Sequence, residues 1–122
     1  MTGKTVYKIM DTAAWDEFQA SGVFAGAPVD LADGFIHFSD AHQVQGTLDR
    51  HFAGRGDLVL VAVAADRLGP ALVYEVSRGG DLFPHLYASL PRSAVVGAAA
   101  LAIGAAGRQD SATAIARLSP AD

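Results

Sequence analysis

The sequence predicts an α+β domain whose strands pair mostly antiparallel, and three observations carry that reading. Leu58-Val59-Leu60-Val61-Ala62-Val63 is a continuous apolar run rich in valine, as a central strand buried on both faces requires. Two stretches in the first half carry apolar residues at helical spacing behind capping residues. The connections between the later strands are too short for parallel crossovers. Together they give about six strands and two N-terminal-half helices in a single domain, 1–122, with a core over 5–103 and a tail over 104–122.

Thr5-Val6-Tyr7-Lys8-Ile9-Met10 alternates around Tyr7 and Ile9 and reads as a strand. Asp11 or Thr12 caps a helix carrying Trp15 and Phe18, which ends near Ser21-Gly22. Phe24 to Leu31, with Gly26 and Pro28, reads as a loop. Asp33-Gly34 turns the chain into a short strand, Phe35 to Ser39. Ser39 or Asp40 caps the second helix, with Gln43 at capping-box distance from Asp40. Its stripe is Ala41, Val44, Leu48 and Phe52. After the central strand come Ala71 to Val76, able to run antiparallel to it, and a short strand from Pro84 to Tyr87. Over Ala94 to Ile103, alanine favours helix, but paired valines, Gly97 and flanking turns favour the strand expected here. Pro120 limits any last helix in the tail.

Composition narrows the chemistry. With 51% apolar and 18% charged residues, the chain can bury a core and is not of disordered type. A net charge of −4 argues against a broad nucleic-acid surface. The absence of cysteine excludes disulfides, thiol catalysis and zinc–thiolate sites, and fits a reducing cytoplasm, the location expected. Met1 to Met10 lacks the apolar core of a signal peptide. The longest small-apolar run, Ala94 to Ala106, is shorter than the roughly 20 residues that span a bilayer, so no membrane partner is expected.

What remains is four histidines, two glutamates (Glu17 and Glu75), some hydroxyls and one glycine loop. His37 shares a strand face with Phe35 and Ser39. It is either a satisfied core histidine or a pocket-lining acid–base. Ser39 reads as a helix cap or a ligand donor. No G-x-S-x-G elbow surrounds it. His42 and His51 are nine residues apart and do not stack as metal ligands, and no metal site is expected. Arg78-Gly79-Gly80-Asp81 is either an anion site, with Arg78 forking onto phosphate or carboxylate, or a turn closed by an Arg78–Asp81 ion pair. His85 and Tyr87 face one side of a strand and line either a pocket or the lip of a core. The candidate catalytic residues are His37 and His85. The candidate ligand-binding residues are Ser39, Arg78, Gly79, Gly80, Asp81 and Tyr87.

The segments Gly34 to Ser39, Gln43 with Thr47, His51-Phe52-Ala53-Gly54 and, most specifically, Asp81-Leu82-Phe83-Pro84-His85-Leu86-Tyr87 resemble the domain-of-unknown-function 952 family of bacteria and plants. The resemblance spans roughly Val6 to Ile103. It implies an ADP-ribosylation-like fold with a split, mixed β core, grouped with ADP-ribosyltransferases that use NAD or related nucleotides. Such transferases carry an arginine or histidine on the first core strand, where this chain has Lys8. They carry a catalytic glutamate on a late strand, where it has His85, with Glu75 one strand earlier. The function expected is therefore binding of NAD or a related nucleotide or anionic small molecule in a cleft lined by histidine and arginine. The alternative is a non-catalytic ligand-binding or protein-interaction module whose histidines are structural.

Overall fold

The computed structural model describes residues 4–104 and 106–118, with the Arg78 side chain outside the described set. The elements run β1 (Thr5–Asp11), α1 (Thr12–Ser21), β2 (Val23–Phe24), α2 (Pro28–Asp33), β3 (Ile36–His37), a 3-10 turn (Ala41–Gln43), α3 (Val44–His51) and β4 (Leu58–Ala64). Then follow β5 (Leu72–Val76), β6 (Leu82–Leu86), β7 (Leu90–Pro91), β8 (Val95–Leu101) and α4 (Ser111–Leu118). All six expected strands are present, Ala94 to Ile103 included. β2 and β7 add a two-residue pair.

The strands make three sheets, ordered β1-β4-β8, β2-β7 and β3-β6-β5. Every ladder between these strands is antiparallel, so the expected mixed core is not observed. β5 does not pair with β4 either. β4 takes β1 and β8 as neighbours, and β5 joins the other sheet. A backbone bridge links the two larger sheets: Tyr7 and Ser39 exchange N–H···O bonds of 2.8 Å in both directions.

The β1-β4-β8 sheet is the middle layer, and this explains the unbroken apolar run of β4. Val59, Val61 and Val63 pack with Val6, Met10, Phe18 and Ile36, toward the β3-β6-β5 sheet and α1. Leu58, Leu60 and Ala62 pack with Tyr7, Ile9, Val44 and Leu48, toward α3 and α4. The helix ends behave as their capping residues demand. The Asp11 carboxylate accepts from Ala14 N–H at 2.7 Å, and Gln43 Oε1 accepts from Asp40 N–H at 2.9 Å.

Two helices depart from the sequence reading. α2 occupies much of the expected loop. Pro28 opens it at its first turn and Gly34 ends it in the left-handed region at φ 87°, so the residues that look like loop punctuation are start and stop signals. α4 lies in the expected tail. Its Ala114, Ile115 and Leu118 pack on the far side of the middle sheet. Pro120 falls outside the described residues.

α2 also needs Gly26. Its φ is 130°, and an added Cβ would lie 2.9 Å from Asp30 Cβ. Gly26→Ala is therefore expected to destabilise the fold by about 1–3 kcal/mol. Urea denaturation would check this, and an unchanged midpoint would contradict it.

Candidate functional site

The candidate site grows from one buried carboxylate. Asp30, in the first turn of α2, is 1% exposed. Oδ1 accepts from His37 N–H (3.0 Å), His37 Nδ1 (2.7 Å) and Lys8 Nζ (3.1 Å). Oδ2 accepts from Ala27 N–H at 2.8 Å and lies 2.9 Å from Lys8 Nζ. Burial opposes the Asp30 charge, but the His37 bonds, the Lys8 ammonium and the Ala27 N–H outweigh it and hold the carboxyl down to about 2. Burial likewise disfavours the Lys8 charge. One carboxylate offsets this only in part, so the ammonium lies below its ordinary value.

His37 is thereby fixed from one side, and its Nε2 lies 2.9 Å from Asp33 Oδ2 at the end of α2. Both ring nitrogens face carboxylate oxygens, an arrangement that a doubly protonated imidazole satisfies. Across the ladder, His37 is paired with His85, and His85 with Val73. This row lies on the face of the β3-β6-β5 sheet opposite Ile36, Leu86 and Leu72, which face the core.

His85 is held in the same manner. Its Nδ1 donates to Glu75 Oε1 at 2.8 Å, and Tyr87 OH donates to the same oxygen at 2.7 Å. The Tyr87 hydroxyl and His85 hold the Glu75 carboxyl below its ordinary value, and the Glu75 bond raises the Tyr87 hydroxyl. Phe35, set by the Gly34 turn, stacks on the His85 ring at 4.0 Å between centroids and lies 4.6 Å from His37 and 5.3 Å from Tyr87. The two imidazoles meet edge to face at 5.6 Å. Two histidines, each with Nδ1 on a carboxylate, thus stand side by side.

Both open onto one cleft of about 610 Å³, within the usual range of small-molecule sites. Its polar lining includes Lys8, Asp33, Thr47, His51 and Ser77, and its apolar lining includes Val29 and Phe83. The arrangement provides fixed ring N–H donors on the wall of the cleft. Among the described residues, no group of three or more His, Asp or Glu is placed to hold a metal ion.

The structure brings together His37, His85 and Tyr87. Ser39 is not brought to them: its hydroxyl lies 3.1 Å from Thr47 Oγ1, and its backbone is consumed by the bridge to Tyr7. Gly79, Gly80 and Asp81 form an exposed turn outside the cleft lining, closed by Ser77 N–H donating to Asp81 O at 2.9 Å. The Arg78 side chain lies outside the described residues. His42 is exposed, whereas His51 lines the cleft. Sequence reasoning missed Asp30, Asp33 and the stacking role of Phe35. The signal was Pro28 and Gly34 at helix-start and helix-stop spacing, which puts Asp30 in a first turn and Phe35 just past the end.

Asp30→Asn leaves Lys8 buried without its counter-charge and is expected to cost about 3–5 kcal/mol. Because the Asp30 carboxyl is depressed, its stabilisation is present above the ordinary value of 3.8 and is lost as the pH falls toward about 2. The variant should lack that share, about 2 kcal/mol, of the acid-side slope. Urea denaturation from about pH 6 down to about 2 would check both expectations.

Residues 9–98 match the family model described as "Protein of unknown function (DUF952)". The X-ray structure of protein CC0527 from Caulobacter crescentus is similar to this chain, with 46% identity and a TM-score of 0.87 over 92% of this chain and 98% of that one. The solution NMR structure of CC0527 is also similar, with 49% identity and a TM-score of 0.78 over 85% and 90%. No curated protein matches the chain. The chain belongs to the DUF952 family.

Proposed function

For this member of a family of unknown function, we propose that the cleft binds NAD or a related nucleotide, and that His37 and His85 meet its polar and anionic groups. The observation that carries this reading is the pairing of two carboxylate-held imidazoles, 5.6 Å apart, on the wall of one cleft. Groups fixed in this way lose little freedom when a ligand arrives, which favours binding. The cleft volume is consistent with a nucleotide. The choice of nucleotide over other anions rests on the resemblance to an ADP-ribosylation-like fold.

The residues fit a role in binding and proton exchange better than the glutamate chemistry of the transferases. Glu75 is engaged by His85 and Tyr87 through one oxygen. The half-exposed carboxylate in the cleft lining is Asp33, which sits on His37. A bound NAD would supply a labile glycosidic bond. The chain's own residues would hold its phosphates and exchange protons at His85 and His37. A second reading, a non-catalytic module with structural histidines, is favoured by the complete set of partners around Asp30.

Titrating NAD and ADP-ribose into isotope-labelled protein is expected to move the amide and ring resonances of His37 and His85. His85→Asn should weaken binding about tenfold, the worth of one charge-assisted hydrogen bond. Unmoved resonances on both strands would remove the nucleotide reading and leave the structural one.

A further inference from the structure

We propose that Asp33 is a built-in place-holder: its carboxylate occupies, on His37 Nε2, the position that a ligand's phosphate oxygen takes when it binds. The inference rests on the reading of the cleft as an anion-binding nucleotide site and names the atom at which the anion is received.

The two carboxylates on His37 are held very differently. Asp30 is 1% exposed and takes donors from Lys8, Ala27 and both the backbone N–H and Nδ1 of His37. It lies in the first turn of α2, where backbone N–H groups favour a negative charge. Asp33 is the last residue of α2, where carbonyl oxygens oppose one. Its side chain is 48% exposed, and among the described residues its one ion-pair contact is His37 Nε2 at 2.9 Å. Releasing Asp33 to water therefore costs little, while Asp30 stays.

The consequence for His37 is specific. Asp30 fixes the ring through Nδ1 and the backbone N–H together, so the direction of Nε2 does not depend on Asp33. When Asp33 withdraws, a fixed N–H donor is left facing the cleft. The charges close as well. Asp33 places one negative charge on His37 Nε2, and its withdrawal leaves that position one negative charge short. A phosphate oxygen restores the balance, whereas a cationic ligand would favour keeping Asp33 in the site. Val29, one turn earlier on α2, lines the same cleft, so the exchange happens at its wall and not on an outer face.

The test compares wild type with Asp33→Asn and Asp33→Ser, using ADP-ribose and inorganic phosphate as probes and the His37 ring resonances as readout. Both variants are expected to bind ADP-ribose about tenfold more tightly, since each removes a competing charge at contact distance. Their free His37 ring signals should differ from wild type and approach it when phosphate is added. Asp16→Asn, on the exposed side of α1, should leave affinity unchanged and so controls for net charge. Equal or weaker ADP-ribose binding by the Asp33 variants overturns the place-holder and leaves the nucleotide reading standing. Tighter phosphate binding by the variants with no ADP-ribose binding by any protein supports the place-holder and removes the nucleotide. If neither probe binds the variants, both fall.

Discussion

The fold around the cleft depends on the burial of the Asp30 charge. Three segments, Lys8 on β1, the Ala27 turn just before α2 and His37 on β3, each give this carboxylate a donor. Its own backbone carbonyl accepts from Gly34 and Phe35 N–H, so the residue also shapes the turn that follows. A buried carboxylate without partners would cost far more than any single packing contact. The demand to satisfy it therefore aligns α2 with both larger sheets. The positions of His37 and Phe35 follow from that alignment.

The middle layer extends the constraint. β4 is buried on both faces, so β1 must present an apolar side in each direction. Lys8 interrupts β1 on the side that carries Val6 and Met10, and it is tolerated there only because Asp30 reaches it. The Tyr7–Ser39 bridge then ties β1 to the strand that carries His37. The cation, its counter-charge and the imidazole are in this way fixed to one frame. The outward face of β3-β6-β5 is left free for side chains that do not serve the core.

The sequence makes the frame visible more readily than the site. The valine run of β4 and the alternation of β1 report burial directly, and burial is what periodicity measures. The strand over β8 was legible through its paired valines and Gly97, despite the alanines. The placement of His85 and Tyr87 on one face follows from a period of two, and it holds. Asp30 was hidden because a charged residue in a segment that looks like a loop is ordinarily solvated. Only its partners, which lie 22 and 7 residues away, make it a core residue. The short helix that carries it spans six residues, too few for a stripe to emerge. α4 was hidden by a different cause. Alanine-rich sequence says helix, but only the neighbouring sheet says where the helix packs.

The two imidazoles look equivalent in sequence, and the structure makes them unequal. His37 leans on a carboxylate that is fully enclosed and has four donors, so that support cannot relax when a ligand approaches. His85 leans on Glu75, whose side chain is 38% exposed and shared with the half-exposed Tyr87. Water and ligand can reach the second carboxylate but not the first. The cleft wall thus pairs one rigidly held imidazole with one whose carboxylate partner is open to solvent. Phe35, stacked on His85 and in contact with His37, keeps the rings close without giving either a competing polar partner. The difference between the two histidines therefore originates in their carboxylates, one in the first turn of a short helix and one on an edge strand.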